Sequence, residues 1–118
     1  MDFSVATTDD IDSVVPDEYG GMWFFREPLD CENLGISLLE LEPEGRGKPH
    51  DHADDGQEEV YLVVDGELTI ALGGGDDEPP AEERTLTAGE AIRVGSETWR
   101  ALSNRGDEPV RVVVAGAP

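Results

Sequence analysis

The sequence predicts an all-β domain, a sandwich or barrel of eight or nine short strands. Three observations carry that reading. From Met22 onward the apolar residues fall in short runs, turn residues interrupt them at close and regular spacing, and no run has the length or period of an amphipathic helix. At 118 residues the chain is one domain, long enough to bury roughly two-thirds of the surface its unfolded form exposes. We divide it into an N-terminal arm over 1–21 and a barrel over 22–118.

In the arm, Phe3 to Thr7 reads as a short strand. Thr8-Asp9-Asp10-Ile11 has the capping residue and acidic first turn of a brief helix, stopped before Pro16. The barrel opens with strands at Met22 to Arg26 and Gly35 to Leu41. Glu58 to Asp65, rich in Val and Tyr, is followed by Asp65-Gly66, a strong hairpin signal, and the chain returns as Glu67 to Leu72. The acidic, Gly- and Pro-rich stretch 73–80 is a solvated loop. Strands follow at Arg84 to Thr87, Ala91 to Val94, Thr98 to Ser103 and Val110 to Ala115, with turns at Ala88-Gly89 and at 104–107.

Asp and Glu number 28 against 8 Lys and Arg, a formal net charge of -20. Such a field repels phosphate, which argues against nucleic acid and anionic membrane as partners. Leu, Ile, Val and Phe supply 28 of the 118 residues, above the roughly 20% line below which disorder is the default. The chain therefore folds. Lys48 is the only lysine, and the other seven basic residues are arginines. Abundant carboxylates with almost no lysine fit a halophilic protein in concentrated salt, where a Debye length of about 3 Å at 1 M makes the charge tolerable. The rival reading is an acidic surface that meets a basic partner. Cys31 stands alone, so no internal disulfide forms. The N-terminus lacks the features of a signal peptide, and the longest apolar runs, such as Val60 to Val64, fall far short of a membrane span. The expected location is the cytoplasm.

The chemistry concentrates at His50 and His52, the only histidines. At i and i+2 on an extended segment both rings face one side. Seven residues on, Glu59 opens a strand. Two imidazoles and a carboxylate commonly hold Fe, Mn, Ni, Cu or Zn. The plainer alternative is a pair of surface histidines in an acidic loop. Gln57 shares the parity of Glu59 and is a candidate supporting donor or substitute ligand. Tyr61 and Val63 share it too and should line the interior.

Gly45, His50, His52, Glu59 and Gly66 resemble the first motif of the cupin superfamily, G-x5-H-x-H-x3,4-E-x6-G. Four residues rather than five separate Gly45 from His50, and six rather than three or four separate His52 from Glu59. Gly89, Gly95, Glu97, Arg100 and Asn104 follow the spacing of the second motif, G-x5-P-x-G-x2-H-x3-N, with Arg100 in place of its histidine. The run His-Asp-His-Ala-x-Asp-Gly-Gln-Glu-Glu-Val-Tyr, from His50 to Tyr61, is also similar to a narrower group of single-domain cupins. The resemblance covers roughly Gly35 to Ala115. It implies an all-β double-sheet jelly-roll barrel with a short N-terminal extension, a divalent transition metal on His50, His52 and Glu59 in the barrel mouth, and a homodimer.

Arg100 decides how that metal would be tolerated. A divalent cation with two neutral imidazoles and one carboxylate carries net +1, and a guanidinium at about 5 Å adds roughly 3 kcal/mol of repulsion per unit charge at an effective dielectric of 20. Three arrangements are open: Arg100 and the metal share an anionic ligand, Arg100 pairs with Glu59 in place of a metal, or Arg100 turns outward onto the acidic surface. The first makes Arg100 a substrate-binding residue, with the Tyr61 hydroxyl orienting the same molecule. The functional expectation is a single-domain cupin holding a metal and a small anionic molecule. The alternatives are a dioxygenase or isomerase acting on a small carboxylic acid, and a metal-free ligand-binding barrel with an Arg100–Glu59 salt bridge. No residue beyond the ligands presents itself as a general base. Cys31 reads as a small buried hydrophobe, Trp23 and Trp99 as packing residues, and Gly73 to Gly75 as a loop without phosphate-binding context.

Overall fold

Eight strands form where the short apolar runs place them. A computed structural model describes residues 1–118. The strands are β1 (Gly20–Phe24), β2 (Gly35–Leu41), β3 (Glu58–Asp65), β4 (Glu67–Leu72), β5 (Glu82–Thr87), β6 (Ala91–Val94), β7 (Arg100–Ser103) and β8 (Val110–Ala117). All pairings are antiparallel. Five strands make one sheet in the order β1-β2-β8-β3-β6, and three make the other in the order β5-β4-β7. This is the expected double-sheet jelly roll, and no helix is long and apolar enough to cross a membrane.

The strand period explains the core. Leu39 and Leu41 on β2, Val63 on β3, Leu68 and Ile70 on β4, and Val110 and Val112 on β8 alternate inward and are buried. Each such side chain contributes roughly 1.5–3 kcal/mol of apolar burial. On β3 the same alternation turns Glu59, Tyr61 and Val63 inward, toward the space between the sheets. Its outward residues are apolar as well: Val60 and Leu62 are 38% exposed and Val64 49%.

The turn at Gly66 joins β3 to β4, but the two do not form the expected hairpin. β3 pairs with β6 and β8, and β4 with β5 and β7, so the chain crosses here from one sheet to the other. Asp-Gly supplies a tight reversal; which strands then pair is set by the sheets' other members. Gly66 has φ +84°, and a Cβ there would lie 2.5 Å from the Pro109 carbonyl oxygen. Only glycine meets both demands. Asn104, assigned to a turn, is buried and ties the end of the barrel together. Its amide donates to the carbonyls of Leu41 and Glu108, and its side-chain oxygen accepts from the Gly106 N–H.

The arm differs from expectation. Phe3 to Thr7 pairs with no strand; Phe3 and Val5 are exposed. The brief helix is a single 3₁₀ turn, Thr8–Asp10, capped by Thr7, and a second such turn spans Asp17–Tyr19. An alternating pattern specifies a strand only where a neighbour supplies hydrogen-bond partners, and none lies beside Phe3 to Thr7. Further along, the Ser13 hydroxyl accepts from the Met22 N–H, and the Val14 N–H donates to the Met22 carbonyl, fastening the arm beside β1.

Candidate metal centre

The loop between β2 and β3 lays the histidines along β7. His50 and Arg100 exchange backbone hydrogen bonds in an isolated antiparallel bridge, and the His52 N–H donates to the Ser96 carbonyl. Held extended, the segment points both rings the same way. Their centroids are 4.9 Å apart and their planes nearly perpendicular. Glu59 meets them from β3, opposite Gly116 of β8. A Cβ at Gly116 would come within 3.1 Å of Gln57 Oε1 and 3.2 Å of Glu59 Cγ, so glycine leaves those side chains their room.

The ring nitrogens are sorted by their partners. His50 Nδ1 lies 2.8 Å from the Lys48 carbonyl oxygen, and His52 Nδ1 lies 3.1 and 3.2 Å from the two Asp55 carboxylate oxygens. Both partners can only accept, so each Nδ1 carries the hydrogen. In the neutral rings each Nε2 then keeps a bare lone pair, and both face Glu59. His50 Nε2 is 3.5 Å and His52 Nε2 3.1 Å from Glu59 Oε1, and the three candidate ligand atoms lie within 4.8 Å of one another. His52 Nε2 is buried with no hydrogen-bond partner.

Donor atoms about 2.0–2.2 Å from a common ion stand roughly 3.0–3.5 Å apart in tetrahedral or octahedral geometry. The two nitrogen–oxygen separations match that range. The residues therefore fit a divalent transition metal, with the orphaned His52 nitrogen as the atom most in need of one. The partners on Nδ1 fix tautomer and ring orientation, as supporting residues of metal sites do.

Glu59 is also the acceptor for two donors from the protein. Tyr61 Oη donates to its Oε1 at 2.6 Å and Arg100 Nη1 at 2.7 Å. Burial pushes the carboxyl up, but a hydrogen bond from the protonated His50 ring, the Tyr61 hydrogen bond and the charges of protonated His52 and of Arg100 outweigh it and hold Glu59 at about 2. When His50 takes up a second proton, at Nε2, it donates to Glu59, and that hydrogen bond raises His50 above its usual value against the opposing effect of burial. Burial, reinforced by Glu59, pushes the Tyr61 phenol up, so it stays a donor.

The Arg100 guanidinium pairs with the Glu59 carboxylate, Nη1 donating to Oε1. The side chain is wholly buried, so it does not turn outward. Its Nε donates to the Thr98 carbonyl at 2.9 Å and Nη2 to the Gly95 carbonyl at 2.6 Å. With all three nitrogens bonded to the protein, Arg100 is a brace for Glu59.

A cavity of about 570 Å³ opens in front of His52 and Glu59. It is lined by Ser37, Gln57, Val114 and Gly116 of the barrel, by Phe24 and Arg26, and by Ile11, Asp12 and Val14 of the arm. Sequence reasoning brought together His50, His52, Glu59, Tyr61 and Arg100. It did not find Asp55, Ser37, Arg26 or the arm. Asp55 is three residues from His52 in the same run, a signal that was available; the others meet the site only through the tertiary fold. Cys31 and Trp99 lie outside this cavity.

Residues 37–116 match the family model Cupin_2, described as a cupin domain. No curated protein matches the sequence. Among solved structures, KdgF from Halomonas sp. superposes with a TM-score of 0.73 at 16% identity, over 98% of this chain and 93% of that one. TT1209 from Thermus thermophilus gives 0.70 at 22% identity, over 98% and 97%. A sugar phosphate isomerase of the cupin superfamily from Silicibacter pomeroyi DSS-3 gives 0.69 at 20% identity, over 97% and 75%. At these identities the likeness is one of fold.

Proposed function

Because this chain belongs to the cupin family, we propose that it binds a divalent transition metal through His50, His52 and Glu59 and takes a small anionic molecule into the adjoining cavity. The observation that carries this reading is the unpartnered, buried Nε2 of His52, 3.1 Å from a carboxylate oxygen. Such a metal would supply open coordination positions for oxygen donors of the ligand. The chain's own residues do the rest: the Lys48 carbonyl and Asp55 hold the rings, Tyr61 and Arg100 hold Glu59, and the arm adds Ile11, Asp12 and Val14 to the cavity wall. Arg100 and Tyr61, expected to bind the small molecule directly, are not among the residues that line the cavity and would act on it through Glu59. The positive charge left by metal, Arg100 and Glu59 together favours an anion, with a small carboxylic acid the first class to try.

The Arg100 and Tyr61 hydrogen bonds favour one second reading, a ligand-binding barrel in which Glu59 is satisfied by protein donors alone. Thermal unfolding with Mn, Fe, Ni, Cu or Zn separates the two, since a ligand bound only by the native state raises the midpoint. On the metal reading at least one of these ions stabilises the wild type and leaves His50→Ala/His52→Ala unmoved. No stabilisation by any of them would support the barrel alone. Oxygen uptake and isomerisation assays with small carboxylic acids then ask whether the loaded protein turns over, as a dioxygenase or isomerase would. The same proposal includes a halophilic cytoplasm and a homodimer.

A further inference from the structure

We propose that the cavity takes a molecule with an acidic group at each end, a small dicarboxylate, and that Arg26 holds the end farther from the metal centre. The inference rests on the metal reading and narrows its ligand class. Five of the seven arginines are closed in ion pairs with carboxylates of the chain: Arg84–Glu82, Arg93–Glu58, Arg100–Glu59, Arg105–Glu83 and Arg111–Glu40. Of the two others, Arg26 and Arg46, only Arg26 lines the cavity in front of His52 and Glu59. Its side chain makes one hydrogen bond, Nη2 donating to the Glu32 carbonyl at 2.9 Å, which leaves Nε and Nη1 uncommitted. A guanidinium left unpaired among 28 carboxylates is open to a carboxylate from outside the chain, which it can hold through two parallel hydrogen bonds.

The sheet sets Arg26 apart from the metal ligands and leaves the space between them open. Gly116 stands opposite Glu59 in register, and Gly35 opposite Gly116. Residues opposite one another share a face, so two glycines follow Glu59 across β8 and β2, and both line the cavity. At about 4.8 Å between strands, roughly 10 Å of this row carries no side chain. β1 continues the sheet: Phe24 stands opposite Ser37, the Phe25 N–H donates to the Ile36 carbonyl, and Arg26 comes next. A trough of bare backbone thus leads from Glu59 over Gly116 and Gly35 toward Arg26. Beside it, Ser37 is buried, and its hydroxyl makes no hydrogen bond within the chain, so a further donor faces the cavity. Phe24 and Val114 supply apolar wall for a hydrocarbon middle. Asp12 and Glu27 also line the cavity, and neither pairs with Arg26. They repel an anion, so a ligand with acid at both ends needs a cation at both. A molecule with one acidic group would leave the Arg26 fork unmet.

Isothermal titration calorimetry of the full chain tests this, metal-free and loaded with the ion that most stabilises it. In about 1 M KCl a Debye length of about 3 Å confines the readout to direct contacts. The probes are succinate and glutarate against butyrate and valerate, which match them in carbon number. In the loaded wild type at least one diacid should bind about tenfold more tightly than its matched monoacid. Arg26→Gln should lose that preference while taking up metal as the wild type does. Arg26→Lys, which keeps the charge without the fork, should recover part of it. Arg26 is exposed, so both variants should keep the circular dichroism spectrum of the wild type. Diacids that bind no more tightly than monoacids overturn the proposal, as does a preference that survives in Arg26→Gln. Should the wild type take up no metal, the metal reading fails on that titration alone. The metal-free proteins then decide the role of Arg26: a diacid preference lost in Arg26→Gln supports it, and no preference overturns it.

Discussion

Arg100 occupies the position at which the second cupin motif has histidine, and its guanidinium grips the carboxylate that would ligate the metal. Removing it has two opposed consequences. Arg100→Met leaves the buried Glu59 charge without its strongest partner, and breaking such a pair costs about 3 kcal/mol of stability in the metal-free protein. The same change removes a positive charge from beside the ion, so divalent metal should bind at least about tenfold more tightly. Denaturant unfolding reads the first effect and a metal titration the second; unchanged metal affinity would contradict a shared site. At this scale the sequence was informative because ligand chemistry is carried by rare residue types at fixed spacing. His50, His52 and Glu59 were legible for that reason. The direction of Arg100 was not, because the carbonyls of Gly95 and Thr98 that capture it are features of backbone path, which side-chain identity does not encode.

The strands followed their two-residue period closely, because burial of one face fixes which residues must point inward and a one-residue slip would reverse all of them. The corner between β3 and β4 depends on Gly66. Gly66→Ala forces a side chain into the left-handed region and against the Pro109 carbonyl, which should destabilise the protein by about 1–3 kcal/mol. Thermal unfolding checks this, and an unchanged midpoint would mean that the turn is slack. Asp65-Gly66 located that turn, yet local pattern did not reveal that the strands on either side of it join different sheets. The arm marks a second place where element-level reading stopped. Phe3 to Thr7 has strand-forming composition, but no neighbouring edge pairs with it. The segment instead leads into Ile11, Asp12 and Val14, which line the cavity. Which loop or terminus contributes to a cavity is decided by tertiary path, so the cavity itself was not legible from local pattern.

Across the whole molecule, charge is the dominant fact. A net charge of -20 on 118 residues strains the folded state through self-repulsion, and salt relieves it. The unfolding midpoint should therefore rise substantially between dilute buffer and molar KCl; a midpoint independent of salt would reject the high-salt reading. The double-sheet architecture was legible because it follows from strand count, turn spacing and two spaced motifs together. The activity was not, since the same barrel holds many different sites and chemistries. The central claim is that three side chains from two segments share one metal ion. Elemental analysis of protein purified in high salt tests it most directly. The account predicts close to one transition metal per wild-type chain and its loss from His50→Ala/His52→Ala. Metal well below one per chain, and no lower in the double variant, would contradict it.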